Sequence, residues 1–117
     1  MLPKSRKISG RKNFEVIYRS GQRTFSHFIH LFFVPSKGPG RFACVISLKV
    51  SKRAILRNKL RRRAYSIIRE NLFNIKDGYA VILVFKSGAA ELSRAQLLKN
   101  ILDLFKMSGL ASAPIVQ

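Results

Sequence analysis

The order of helix and strand signals predicts a small α+β sandwich, with helices packed on one face of a sheet. Three observations lead there. Apolar residues recur at helical spacing in three stretches, and denser apolar runs of strand length lie between them. Pro, Gly and Asp-Gly punctuate the joins. The chain has 117 residues, 47% of them hydrophobic, which suits one domain with its own core.

Taken in order, Met1–Gly10 is basic and reads as a loosely ordered N-terminus. Ser9 or Gly10 can open a helix over Arg11–Ser20, with Phe14, Ile17 and Tyr18 on one side and Gly21 as its stop. Phe25–Pro35 reads as a strand whose alternation separates Phe28, His30, Phe32 and Val34 from Ile29, Leu31 and Phe33. Both faces are rather apolar, so either both are covered or one is an exposed aromatic platform. A turn at Pro35–Gly40 leads to a second strand over Arg41–Leu48, most simply its hairpin partner. Ser51 is a candidate N-cap for a helix running to about Asn71–Phe73. After the Asp77-Gly78 turn, Tyr79–Lys86 is apolar enough for a central strand. Ser93 with Gln96 three residues on forms a capping-box signal for a helix over Ser93–Lys106, burying Leu97, Leu98, Ile101, Leu102 and Phe105. Residues 1–107 are thus expected to form one domain, and 108–117 a flexible tail.

The formal net charge is +18, from 23 Lys+Arg against 5 Asp+Glu. The apolar content excludes disorder as the reason for that charge. A folded chain this basic should bind phosphate backbones with steep salt dependence. An anionic membrane surface is the competing partner. The lone Cys44 lies in an apolar run, which reads as a small buried residue in a reducing compartment. No apolar stretch approaches the ~18 residues of a spanning helix, and the basic N-terminus lacks the apolar run of a secretory signal. A cytoplasmic protein with no membrane partner is expected.

The charge concentrates between Lys49 and Arg69, where nine Lys/Arg occur and no Asp or Glu. On a helical wheel Leu56, Leu60, Ala64, Ile67 and Ile68 form the core side. Asn58, Arg61, Arg62, Tyr65 and Arg69 lie opposite, Lys59 and Arg63 on a flank, and Arg57 at the border. A solvated surface face would normally carry acids for (i, i+4) pairs, and this one has none. Asn58 has no propensity reason to sit mid-helix, and its amide can both donate and accept. Tyr65 offers a ring on which a base could stack. Phe14, Tyr18, Phe28 and Phe32 are ordinary core one by one. As a set beside a basic helix they are a candidate single-strand platform.

Other chemistry is absent from the sequence. His27 and His30 alternate badly for a shared face and lack a third ligand. The carboxylates are scattered, and no phosphate loop, Ser/His/Asp pattern or zinc spacing appears. An independent nuclease is therefore disfavoured, and nothing reads as a helix-turn-helix for duplex DNA.

The run Ala54-Ile55-Leu56-Arg57-Asn58-Lys59-Leu60-Arg61-Arg62 resembles the Arg-Asn-Arg signature of the bacterial ribonuclease P protein component. Phe14…Tyr18…Gly21 resembles that family's first helix, Asp77–Val84 its last strand, and Glu91–Leu104 its final helix, so the likeness covers about residues 4–107. It implies an α-β-β-β-α-β-α two-layer domain with a four-stranded sheet and a left-handed βαβ crossover, where the general rule favours a right-handed one. It also implies a subunit of an endoribonuclease that removes the 5′ leader of precursor tRNA. The catalytic groups would belong to the large RNA and to Mg²⁺ held mainly by that RNA. Partners would be the catalytic RNA and precursor tRNA, with no obligate protein partner. Carried over by position, Arg57, Asn58, Lys59 and Arg62 would face the catalytic RNA, and Phe14, Tyr18, Phe32, Arg61 and Tyr65 would line a leader cleft. Lys59 replaces an Arg of the signature, Lys52 a usual Gly, and Tyr65 a usual basic residue. The alternative from another class is a structural, ribosomal-type RNA-binding protein with no role in tRNA processing.

Overall fold

The computed structural model describes residues 2–111. It contains three helices, α1 (Arg11–Ser20), α2 (Ala54–Glu70) and α3 (Arg94–Met107). They are interleaved with four strands, β1 (Gln22–Phe25), β2 (Ile29–Pro35), β3 (Arg41–Val45) and β4 (Tyr79–Phe85). The chain order is α-β-β-β-α-β-α, and the strands form one mixed sheet ordered β1-β2-β4-β3.

Two expectations about the strands are corrected. The segment read as one strand from Phe25 folds back on itself. β1 pairs antiparallel with β2 in a register that sets Arg23 opposite Phe32 and Phe25 opposite His30. The turn at Ser26–Phe28 has no Gly or Pro to announce it. The Ser26 hydroxyl closes it by accepting from the backbone N–H of Ile29 at 3.2 Å. The second correction concerns β3, which is not the hairpin partner of β2. β4 inserts between them, antiparallel to β2 and parallel to β3. The Pro-Gly turn instead clasps the start of β4: Ser36 N–H donates to Gly78 O at 2.8 Å, and Gly78 N–H to Gly38 O at 3.0 Å. β4 suits the centre because both of its faces are apolar, and five of its seven residues are buried.

Strand alternation then assigns the two faces. Ile29, Leu31, Phe33, Phe42, Cys44, Val81, Leu83 and Phe85 share the larger core with α2 and α3. The opposite face carries Phe32, Val34, Ala43, Val45, Ala80, Ile82 and Val84, covered in part by α1 through Ile17, Phe14 and Tyr18. The one-sided helix layer expected from sequence holds for α2 and α3, whereas α1 lies across the other face. It is the one helix on that face, joined by Ile8, and Phe32, Val34, Val45 and Val84 stay half-buried there.

Local signals decide the helix ends. The Ser93–Gln96 capping box forms with both bonds in place, at 3.2 and 2.9 Å. Gly21 ends α1 for a reason of space: a Cβ there would stand 2.3 Å from Ile17 O and 3.1 Å from Phe33 O. Ser51 does not cap α2. Its hydroxyl accepts from Arg53 N–H at 3.2 Å in a turn outside the helix, and Arg53 holds the N-cap position with no side-chain cap. α2 stops at Glu70, and Leu72–Asn74 continues as a single 3₁₀ turn.

Both termini are more engaged than expected. Leu2 and Ile8 are buried, and Ile8 N–H donates to Phe42 O at 3.0 Å, so the N-terminal segment lies along the outer edge of β3. Arg6 fixes it by donating to Gly40 O and Asp77 Oδ1. At the other end Leu110 is buried, and its carbonyl accepts from Lys76 N–H at 2.8 Å. Docking therefore extends past residue 107 to Ala111, and the rest of the expected tail lies outside the described residues.

Candidate nucleic-acid interface

α2 buries Leu60, Ala64, Tyr65, Ile67 and Ile68, which turns its remaining side outward. Asn58, Lys59 and Arg62 are exposed, while Arg57 and Arg61 are half-buried. Arg57 braces the preceding loop by donating to Ser51 O at 2.8 Å, and Arg61 donates to Asn58 Oδ1 at 2.8 Å. Asn58 thus uses its oxygen within the helix and keeps its amide N–H groups outward. Among the described residues the ion pairs are Arg6–Asp77, Arg11–Glu15 and Arg94–Glu70. None of them involves a cation from Lys49 to Arg63. The first turn of α2 carries no acid and no side-chain cap, so its positive pole adds to the field of Lys49, Lys52 and Arg53. The arrangement concentrates positive potential that the protein does not itself neutralise.

On the α1 side of the sheet the rings form a continuous series. Phe14 and Tyr18 lie one helical turn apart with ring centroids 6.3 Å apart. Tyr18 meets Phe32 edge-on at 5.0 Å, Phe32 meets His30 at 6.2 Å, and His30 meets Phe25 at 5.3 Å. The series runs from α1 across β2 to the edge strand β1, because cross-strand partners point to one face. Cations attend it: the Arg23 guanidinium stands 5.8 Å from the Phe32 centroid, and the Lys86 ammonium 5.9 Å from that of Phe25. Phe14, Tyr18 and Phe32 are half-buried, and Phe25 is 64% exposed. Flat apolar faces beside unpaired cations are the means by which proteins hold unpaired bases and their phosphates.

The structure brings Phe14, Tyr18 and Phe32 together as the sequence pattern suggests, but not Tyr65. The wheel places Tyr65 outward, yet it is 7% exposed and belongs to the α2–α3 core. A polar tip on an apolar ring lets Tyr occupy such a place when the hydroxyl finds a partner. Here Tyr65 Oη accepts from the backbone N–H of Cys44 at 3.2 Å, and the Lys7 ammonium lies 5.2 Å from the ring centroid. No face of that ring is open to a base. Cys44 is buried as expected, and burial pushes its thiol up to about 12, against the opposing pull of Arg61 and Lys7.

Arg23, Phe25 and Lys86 join the site without having been singled out beforehand, and His30, weighed above only as a metal ligand, joins it as a ring. The signal for Arg23 and Phe25 lay in the alternation of β1, which only becomes readable once the turn at Ser26 is known. Burial first, then repulsion by Lys86 and Arg23, holds the His30 pKa below the usual imidazole range. Among the described residues no three His, Cys, Asp or Glu side chains gather as a metal ion would need, and no helix is long and apolar enough to cross a membrane.

Comparison with known proteins gives one family throughout. The sequence profile described as Ribonuclease P matches residues 2–109. The ribonuclease P protein component of Microcystis aeruginosa is 34% identical over 110 residues, covering 88% of this chain and 90% of that protein. That of Xylella fastidiosa is 32% identical over 115 residues, covering 97% and 84%. Among solved structures, the ribonuclease P protein of Staphylococcus aureus superposes with a TM-score of 0.85 at 19% identity, covering 92% of this chain and 99% of that one. The protein from Thermotoga maritima gives 0.79 at 22% identity, covering 86% and 96%.

Proposed function

This chain belongs to the ribonuclease P protein family, and on that premise we propose that it holds two RNAs on two surfaces. Membership carries a role in ribonuclease P, and hence in 5′-end maturation of tRNA. The chain is a subunit of an endoribonuclease complex and associates with the ribonuclease P RNA. The finer assignment is ours. The outward side of α2, through Asn58, Lys59 and Arg62 with Arg57 bracing its base, docks on the catalytic RNA. The rings of Phe14, Tyr18 and Phe32, with Arg61, receive the single-stranded leader of precursor tRNA.

The single observation that supports this reading is that, among the described residues, the cations of Lys49–Arg63 form no ion pair with a carboxylate. Like charges so crowded repel one another until a polyanion approaches. The protein's chemical contribution is to offset phosphate repulsion between leader and catalytic RNA. It also favours substrate over product, since only the substrate carries a leader. Hydrolysis is left to the RNA and to Mg²⁺ that the RNA holds. The cytoplasm, where tRNA precursors are made, is the compartment that fits.

Reconstitution tests this. Adding the purified protein to its cognate ribonuclease P RNA at low Mg²⁺ should restore leader cleavage. Tyr18→Ala should then reduce discrimination of precursor from mature tRNA more than affinity for the catalytic RNA. Absence of rescue with correctly folded RNA would sink the reading. Equal loss of both affinities would show that Tyr18 is core and not cleft.

A further inference from the structure

We infer that the outer end of the ring series, Phe25 and His30 flanked by Arg23 and Lys86, is a second docking point for the leader. It would take nucleotides further upstream than those held by Phe14, Tyr18 and Phe32. The inference rests on the reading above, in which the leader lies on this face of the sheet.

Three features of this corner argue for a single-stranded RNA occupant. Phe25, at the end of the edge strand β1, is 64% exposed, a large apolar ring left open to solvent. Arg23 and Lys86 each stand within 6 Å of a ring in the series, and neither has a carboxylate partner among the described residues. The ring series is also unbroken. Phe32 contacts both Tyr18 and His30, and His30 contacts Phe25, so a strand stacked at Tyr18 meets further rings as it crosses β2 toward β1. Stacking accepts any base, and the two cations answer the phosphates on either side. An apolar peptide or a second copy of this chain would bring Arg23 and Lys86 against uncharged groups or against its own excess of cations.

The register adds a constraint on order. Arg23 lies opposite Phe32, and Phe25 opposite His30. Val84 on β4 is the partner of His30, and Lys86 stands just past the end of that strand, two residues on from Val84. A strand running outward from Tyr18 therefore passes Arg23 before it reaches Phe25 and Lys86. The leader must be long enough to reach them, so this contribution appears only above a threshold length.

The test is binding of the reconstituted holoenzyme to precursor tRNAs of graded leader length, measured for the parent protein, Tyr18→Ala, Phe25→Ala and Lys86→Gln. The parent should show a second rise in affinity beyond the length at which the effect of Tyr18→Ala saturates. Phe25→Ala should remove that second rise, weakening the longest-leader complex about tenfold, as loss of one stacked base would. Lys86→Gln should diminish the rise and flatten its salt dependence. Thermal melting checks that each variant is folded. If Tyr18→Ala loses precursor discrimination while Phe25→Ala and Lys86→Gln bind every leader length like the parent, the second docking point is refuted and the first reading stands. If Tyr18→Ala itself leaves discrimination intact, both fall.

Discussion

Tyr65→Phe separates a packing role from an RNA-contact role at one atom. The substitution keeps the ring, and with it the contact to Lys7, and removes only Oη. That oxygen accepts from the Cys44 backbone N–H on the outer edge of β3, a buried bond of 3.2 Å. Without it the N–H faces the core with no acceptor, because the parallel ladder to β4 lies on the strand's other side. Leaving a buried donor unpaired costs about 1–3 kcal/mol. At about 4 °C per kcal/mol for a chain of this size, Tm should fall by about 4–12 °C. Urea and thermal denaturation of the free protein measure this. Precursor and mature tRNA binding by the reconstituted holoenzyme, at a temperature where the variant is folded, should keep its ratio. A variant as stable as the parent that nonetheless loses precursor discrimination would refute the reasoning and return Tyr65 to the leader cleft.

Other perturbations follow from the same contacts. Gly21→Ala places a methyl 2.3 Å from Ile17 O and 3.1 Å from Phe33 O, backbone atoms on both sides, and should cost at least about 2–3 kcal/mol in urea denaturation. An unchanged midpoint would mean that the joint between α1 and β1 gives way freely. The Cys44 thiol is raised from 9.0 to about 12, chiefly by burial. The folded protein therefore keeps a proton that the unfolded chain releases. The associated stability is complete below pH 9 and disappears as pH climbs toward 12, by up to about 4 kcal/mol. Cys44→Ala should flatten that decline, and an identical decline in the variant would contradict the assignment. Arg62→Ala and Lys59→Ala should each lower the log-log salt slope of RNA binding by about one unit. A slope that does not move would take that side chain off the phosphate backbone.

The helices were legible because their signals are local. The Ser93–Gln96 box, the stop at Gly21 and four of the five expected core residues of α2, all but the half-buried Leu56, follow from residues a few positions apart. What failed depended on partners far along the chain. β2 and β3 look like a hairpin because Pro35–Gly40 is a good turn, and nothing within that stretch reveals that Gly78 will bond into it from 38 residues beyond Gly40. Tyr65 misled for a related reason. Its angle on the wheel, opposite Leu56 and Leu60, sends it outward, whereas its hydroxyl meets the Cys44 N–H on β3, a partner no wheel contains. In the candidate site, Phe14, Tyr18 and Phe32 were found by spacing and family resemblance together. Arg23 and Phe25 escaped because the turn at Ser26 has no sequence marker, and Lys86 because its place beside Phe25 depends on the pairing of β2 with β4.

The strand order β1-β2-β4-β3 also dictates a timetable for synthesis. β4 is translated after the other three strands, yet it is the only one that both β2 and β3 touch along their length. Until Phe85 has left the ribosome, β1 and β2 are the one pair among the four strands that can form its native ladder. The edges of β2 and β3 are then free to meet each other across the Pro-Gly turn. The native sheet requires that shortcut to be avoided or undone, so the last strand to arrive is the one that commits the whole domain.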